Sequence, residues 1–153
     1  MCLGNICRSP LAEGIFDRLI AEKGLSGTIC TDSAGTAAYH IGANPDSRSV
    51  SVAKVHGIRL NHRGRQFSES DFRNFDYILA MDRYNFQDIE MLYTKKDRAS
   101  LYLMRAFDPE GRGEDVPDPY YGGDQGFEEV YRMLVRSSEE LLQTICEEKI
   151  GKF

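Results

Sequence analysis

The sequence predicts an α/β fold in which helices cover both faces of a parallel sheet, and three observations lead there. Compact apolar runs of strand length alternate with segments whose apolar residues recur at helical spacing. The chain closes on a long apolar stripe, Phe127, Val130, Tyr131, Leu134, Leu141, Leu142 and Ile145, suited to a helix lying on a sheet. Near its start, a short loop containing Gly4 and Asn5 runs directly into a helix signal at Ser9-Pro10.

From Pro10 to Lys23, Leu11, Ile15 and Leu19, with the adjacent Phe16 and Ile20, mark one face of a helix that Gly24 stops. Thr28 to Thr31 is a short β-prone run. Asn44-Pro45 followed by Val50, Val52, Ala53 and Val55 reads as a second helix ending at Gly57, and Ser68-Glu69-Ser70-Asp71 resembles a capping box opening a short one. Tyr77 to Met81 fits a buried strand, Asp82 to Tyr93 a helix, and Leu101 to Met104 another strand. Arg105 to Gly126, rich in proline and glycine, is expected to be a long functional loop before the final helix. No internal repeat or low-complexity tract interrupts this order.

At 153 residues the chain fits one domain, read as 1–153, with a core that needs no disulfide or metal. A net charge of -5 argues against a nucleic-acid partner, which would call for a basic surface. No apolar run approaches membrane-helix length and no signal-peptide pattern opens the chain, so a cytoplasmic protein is expected, with no membrane partner. In a reducing compartment the four cysteines are expected to be free or catalytic, Cys30 and Cys146 as small buried residues. His40, His56 and His62 show no metal-ligand spacing with the cysteines; His56 and His62 are expected in solvated or packing roles, and no metal or other cofactor is implied.

The most informative stretch is Cys2-Leu3-Gly4-Asn5-Ile6-Cys7-Arg8-Ser9. A loop ending at a helix N-terminus aims backbone N–H groups at one point, where the helix dipole also favours negative charge, and so makes an anion cradle. The same field favours thiolate over thiol at Cys2, and Arg8 offers a planar fork matched to two phosphoryl oxygens. Spacing alone is also met by a buried cysteine beside a surface arginine; Gly4, Asn5, Ser9-Pro10 and the helix that follows favour the cradle.

CLGNICRSP resembles the phosphate-binding loop of the low-molecular-weight protein tyrosine phosphatases. Asp118-Pro119-Tyr120-Tyr121-Gly122 is similar to that family's acid loop, although by itself it would read as an Asp-Pro turn. Weaker similarities lie in Asp32 to Thr36, Tyr77 to Asp82 and Phe127 to Tyr131, so the likeness spans nearly the whole chain. The resemblance implies a three-layer α/β/α fold with a four-stranded parallel sheet and the cradle between the first strand and the first helix. It implies hydrolysis of phosphotyrosine or small aryl phosphates through a phosphocysteine, by a monomer or weak homodimer. Cys2 would be the nucleophile, Arg8 the phosphate clamp and Asp118 the general acid, with phosphate held by residues 3–9: Leu3, Gly4, Asn5, Ile6, Cys7, Arg8 and Ser9. Asn5 and Ser33 would keep the cradle in shape, and Ser9 would donate to the Cys2 sulfur. Tyr39, His40, Tyr120 and Tyr121 would wall the substrate ring. Asp82 would support the acid loop or merely cap a helix, and Cys7 would form a reversible disulfide with Cys2.

Family members carry a short apolar strand immediately before the nucleophile, whereas this sequence starts at Met1, one residue before it. The expectation is that upstream residues are missing, or that another segment or copy supplies the strand. Three rival functions are kept. Arsenate reduction needs a relay of two further cysteines. Protein-arginine phosphatase activity goes with threonine where Ile6 stands. A catalytically idle phosphate-binding module would have no need of a nucleophile and an acid together.

Overall fold

The computed structural model describes residues 1–94 and 96–151, with the backbone alone at Tyr121. Among the described residues five α-helices frame the fold: α1 (Arg8–Glu22), α2 (Ser47–Val55), α3 (Asp71–Asn74), α4 (Arg83–Glu90) and α5 (Gly123–Ile145). Side chains set where several of them start. Asp46 caps α2 by accepting from the Arg48 N–H, and Asp82 caps α4 by accepting from the Asn85 N–H. Before α3, only half of the expected capping box forms: the Asp71 carboxylate accepts from the Ser68 N–H, while the Ser68 hydroxyl pairs with Ser70.

Strands β1 (Tyr77–Ala80) and β2 (Ser100–Leu103) run parallel, Tyr77 opposite Ser100 and Ala80 opposite Leu103. The expected four-stranded sheet is thus two strands, widened by single bridges. Met1 donates to the Leu79 carbonyl at 2.8 Å and accepts from the Met81 N–H at 2.9 Å. On its far side Cys2 accepts from the Thr36 N–H at 2.9 Å, and Gly35 in turn accepts from Phe67 at 2.8 Å. The order across the sheet is therefore Gln66, Gly35, Met1–Cys2, β1, β2. The β-prone run Thr28 to Thr31 forms no strand; pairing falls at Gly35, where a Cβ would stand 2.7 Å from the Leu3 carbonyl. Only glycine admits so close a backbone approach.

Strand alternation divides the core in two. Ile78 and Ala80 face Phe72 and Ile89 of α3 and α4, while Leu79 packs with Leu11, Ile15, Val130 and Leu134 of α1 and α5 on the other face. Helices on both faces give the three layers expected for α/β. Each fully buried Leu or Phe contributes roughly 1.5–3 kcal/mol.

Beside Met1, between the edges at Ser33 and Tyr77, lies a cavity of about 490 Å³ lined by Phe16, Ile29, Phe67, Leu79, Leu141 and Ile145. Leu79, whose carbonyl receives Met1, lines this cavity.

The long loop is tied down at Asp108, which is fully buried and accepts from Arg105 at 2.9 Å, Arg136 at 2.8 Å and the Glu110 N–H at 3.0 Å. Its next anchor is Val116, whose N–H donates to the Met81 carbonyl at 2.8 Å. α5 starts at Gly123, four residues earlier than the apolar stripe suggested, with Gly123 itself at φ 71. No helix among the described residues is long and apolar enough to cross a membrane.

Candidate active site

The loop between Met1–Cys2 and α1 folds around Asn5, which is 1% exposed and adopts the left-handed φ of 57. Asparagine tolerates that region better than most residues, and here its side chain uses its full hydrogen-bonding capacity. Its amide donates to Ser9 Oγ at 2.9 Å and Ser33 Oγ at 3.0 Å; its carbonyl accepts from the Arg65 N–H at 2.9 Å and faces His62 Nε2 at 2.7 Å. Because Ser9 Oγ accepts a hydrogen bond from the Asn5 amide, its own hydroxyl hydrogen is free to donate to Cys2 Sγ, 3.0 Å away. Ser9 is thereby aimed at the sulfur, where a donor stabilises a thiolate.

Cys2, Cys7, Arg8 and Ser9 are all buried. The backbone N–H groups of residues 3–7 meet no acceptor among the described residues, as in a nest that binds anions. The loop's carbonyls are held from outside: Cys7 by the Ser49 hydroxyl at 3.1 Å, Ile6 by the Asp46 N–H at 2.7 Å and Leu3 by the Ala37 N–H at 3.0 Å. Burial, with the Asp46 and Cys2 charges, pushes the Cys7 thiol up to about 12, which keeps it a poor nucleophile beside Cys2.

Arg8 reaches across the sheet's end. Its Nη1 donates to Asp82 at 2.6 Å and to the Val116 carbonyl at 2.8 Å, while Nη2 stands 3.8 Å from Asp118. Asp82 therefore combines both expected kinds of role, capping α4 and bonding outward, but its outward partner is Arg8 rather than the acid loop. Asp118 is 42% exposed on its side chain, and its Oδ1 accepts from the Tyr120 N–H at 3.0 Å.

These residues meet around one pocket of about 290 Å³, lined by Cys2, Leu3, Gly4, Ile6, Cys7, Arg8, Tyr39, His40, Asp118 and Tyr120. Tyr39 and Tyr120 are exposed at its mouth, and His40 lies so close to Gly4 that a Cβ there would come within 2.9 Å of the ring. The expected wall role of the Tyr121 side chain falls outside the described residues. The larger cavity beside β1 is lined by none of Cys2, Arg8 and Asp118.

Sequence reasoning missed several supports. His62, expected in a solvated or packing role, is a member of the Asn5 network, and its Nδ1 lies 3.1 Å from Glu13. Burial opposes the charge on Glu13, yet hydrogen bonds from His62 and Ser33 hold its carboxyl below the usual range. Glu13, Asp32 and His62 offer atoms within 4.8 Å of one another that could ligate a metal, although those of Glu13 and His62 already pair with each other. Asp32 and His62 lie far from the cradle in sequence, and Glu13, four residues after Ser9 on α1, meets the network only through His62 and Ser33, so no local spacing signals them. Cys30 is exposed and Cys146 partly buried, contrary to the expectation of buried thiols, and neither lines the 290 Å³ pocket as an arsenate relay would require.

The family model for low molecular weight phosphotyrosine protein phosphatase matches residues 1–150. A low molecular weight phosphotyrosine protein phosphatase from Schizosaccharomyces pombe is 44% identical, over 95% of this chain and 94% of its own. Among solved structures, a protein tyrosine phosphatase from Entamoeba histolytica superposes with a TM-score of 0.92 at 39% identity, covering 97% of this chain and 95% of its own. An arginine phosphatase from drosophila superposes with a TM-score of 0.89 at 34% identity, covering 97% and 96%. By sequence and by fold, this chain belongs to the low molecular weight phosphotyrosine protein phosphatase family.

Proposed function

We propose that this enzyme hydrolyses phosphotyrosine and related aryl phosphate monoesters through a phosphocysteine, with Cys2 as nucleophile, Arg8 as phosphoryl clamp and Asp118 as general acid. What carries the reading is the convergence of a sulfur nucleophile, unpaired backbone N–H groups, a guanidinium and a carboxyl on one pocket of about 290 Å³. Uncatalysed phosphate-monoester hydrolysis is so slow that the site must act mainly by positioning and charge stabilisation, and the loop is built for both.

The Cys2 thiolate attacks phosphorus in line, forming a P–S bond as the P–O bond to the phenol breaks. Asp118 gives its proton to the departing phenolate. A water then attacks phosphorus, losing its proton to the Asp118 carboxylate, and the P–S bond breaks to return the Cys2 thiolate. The N–H groups of residues 3–7 and the Arg8 fork hold the phosphoryl oxygens throughout, while Asp82 and the Val116 carbonyl fix the guanidinium. Tyr39, His40 and Tyr120 at the mouth suit a flat ring.

The test is hydrolysis of para-nitrophenyl phosphate and a phosphotyrosine peptide, in chelator, by the unaltered protein, Cys2→Ser and Asp118→Ala. Turnover is expected in the first, none in the second and a strong reduction in the third. Phosphate binding without turnover in the unaltered protein would instead identify an idle binding module. The likeness to an arginine phosphatase makes phosphoarginine the rival substrate. Ile6 at the pocket favours phosphotyrosine, and a phosphoarginine peptide turned over faster than the phosphotyrosine one would reverse that choice.

A further inference from the structure

Asp118 sits on a segment strung between two anchors. Upstream, Val116 is held by Met81 and Arg8. Downstream, the Tyr120 carbonyl accepts from Arg48 Nη1 at 2.9 Å. The same guanidinium is forked onto Asp46, Nε to Oδ1 at 3.0 Å and Nη2 to Oδ2 at 3.1 Å, and lies 5.1 Å from the Tyr120 ring and 4.8 Å from the Phe127 ring. Asp46, in turn, donates its backbone N–H to the carbonyl of Ile6 in the cradle. A continuous bonded path therefore runs from the cradle through Asp46 and Arg48 to the residue two positions beyond the acid.

We propose that Arg48 is a positioning residue that couples the phosphate cradle to the acid loop and so sets how well Asp118 reaches the leaving oxygen. The role rests on the proposed assignment of Asp118 as general acid. Arg48 lines neither the cradle nor the pocket, so it acts through Asp46 and Tyr120 rather than on the substrate. Its planar fork is needed because one group must satisfy two carboxylate oxygens and a carbonyl in fixed directions, which a lysine ammonium does not reproduce. The Arg48 fork also holds the Asp46 carboxyl below the usual carboxylate range, as a tight pair should.

A positioning role for the acid has a signature that a general structural role lacks. A misplaced acid matters most when the departing phenolate is basic and least when it leaves unaided. Displacements of about 1 Å can cost ~100-fold. The experiment compares the unaltered protein, Arg48→Ala, Arg48→Lys, Asp118→Ala and the Arg48→Ala/Asp118→Ala double variant on phenyl phosphate and dinitrophenyl phosphate, with inhibition by inorganic phosphate measured for each. In Arg48→Ala, kcat/KM, which covers only the steps up to loss of the phenol, is expected to fall ~10- to 100-fold on phenyl phosphate and less than ~3-fold on dinitrophenyl phosphate, with phosphate inhibition unchanged. Arg48→Lys should fall between, and the double variant should be no slower than Asp118→Ala. An equal loss on both substrates with weakened phosphate inhibition would overturn the proposal in favour of a cradle role. No loss in Arg48→Ala, while Asp118→Ala discriminates between the substrates, would overturn it outright. If Asp118→Ala itself does not discriminate, the acid assignment fails and the positioning role fails with it.

Discussion

The cradle and the acid loop serve the same pocket but are held very differently. In the cradle, Asn5 is 1% exposed, its side chain has four partners, and the loop carbonyls of Leu3, Ile6 and Cys7 are each bonded from outside. In the acid loop, Asp118 is 42% exposed and depends on anchors two residues to either side. The difference follows the charges each half handles. Phosphoryl oxygens are anionic throughout the reaction, so donors that need no reorganisation are effective at every step. An acid must meet a leaving oxygen whose position depends on the substrate, and a lightly held loop can accommodate that.

Predictions that probe this contrast can be ranked by expected effect. The sharpest concerns the acid: Asp118→Ala should lower kcat for phenyl phosphate ~100- to 1,000-fold while leaving phosphate inhibition intact, as steady-state kinetics would show. A comparable loss of phosphate binding would mean the two halves are not separable. Next is the contrast inside the cradle, where Cys7 sits high at about 12 because burial disfavours its thiolate. Iodoacetate at neutral pH should alkylate Cys2 at least ~100-fold faster than Cys7, read by peptide mass spectrometry, and bound phosphate should protect Cys2.

Asn5→Ala should cost roughly 2–4 kcal/mol in urea melts, because it strands the Arg65 N–H and His62 Nε2 and puts a residue without a side-chain amide into the left-handed region. It should also lower kcat/KM for good and poor leaving groups alike, unlike Asp118→Ala. The loop's outer anchor is sensitive to acid. Although burial opposes ionisation of Asp108, bonds from Arg136, the Glu110 N–H and Arg105 hold it at about 2, below its unfolded value near ~3.9. A depressed carboxylate adds stability that is present above the unfolded pKa and lost as pH falls through the folded one. The gain, roughly 2 kcal/mol, should therefore disappear between about pH 4 and pH 2, and Asp108→Asn should remove that portion of the acid slope in urea melts.

What was legible in the sequence depended on how local each feature is. The cradle lies within eight consecutive residues, and its turn formers, basic residue and helix start are visible together. β1, β2 and the helices followed from periodicity, with small shifts: α5 starts within a glycine-rich stretch that propensity alone assigns to loop. The supports of the cradle were not legible. His62 and Arg65 come to Asn5, and Arg48 to the acid loop, only through tertiary packing, and nothing in their own neighbourhoods marks them. The pairing at Gly35 rather than at Thr28 to Thr31 was hidden for a related reason, since backbone approach to Leu3 outweighs β-propensity there.

The account depends most on the phosphoryl group passing through the Cys2 sulfur. Rapid acid quench during turnover of a phosphotyrosine peptide, followed by peptide mass spectrometry, reads this directly. Phosphate on the peptide containing Cys2, absent in Cys2→Ser, is the predicted result. Turnover that persists in Cys2→Ser, with no phosphorylated Cys2 in the unaltered protein, would contradict it.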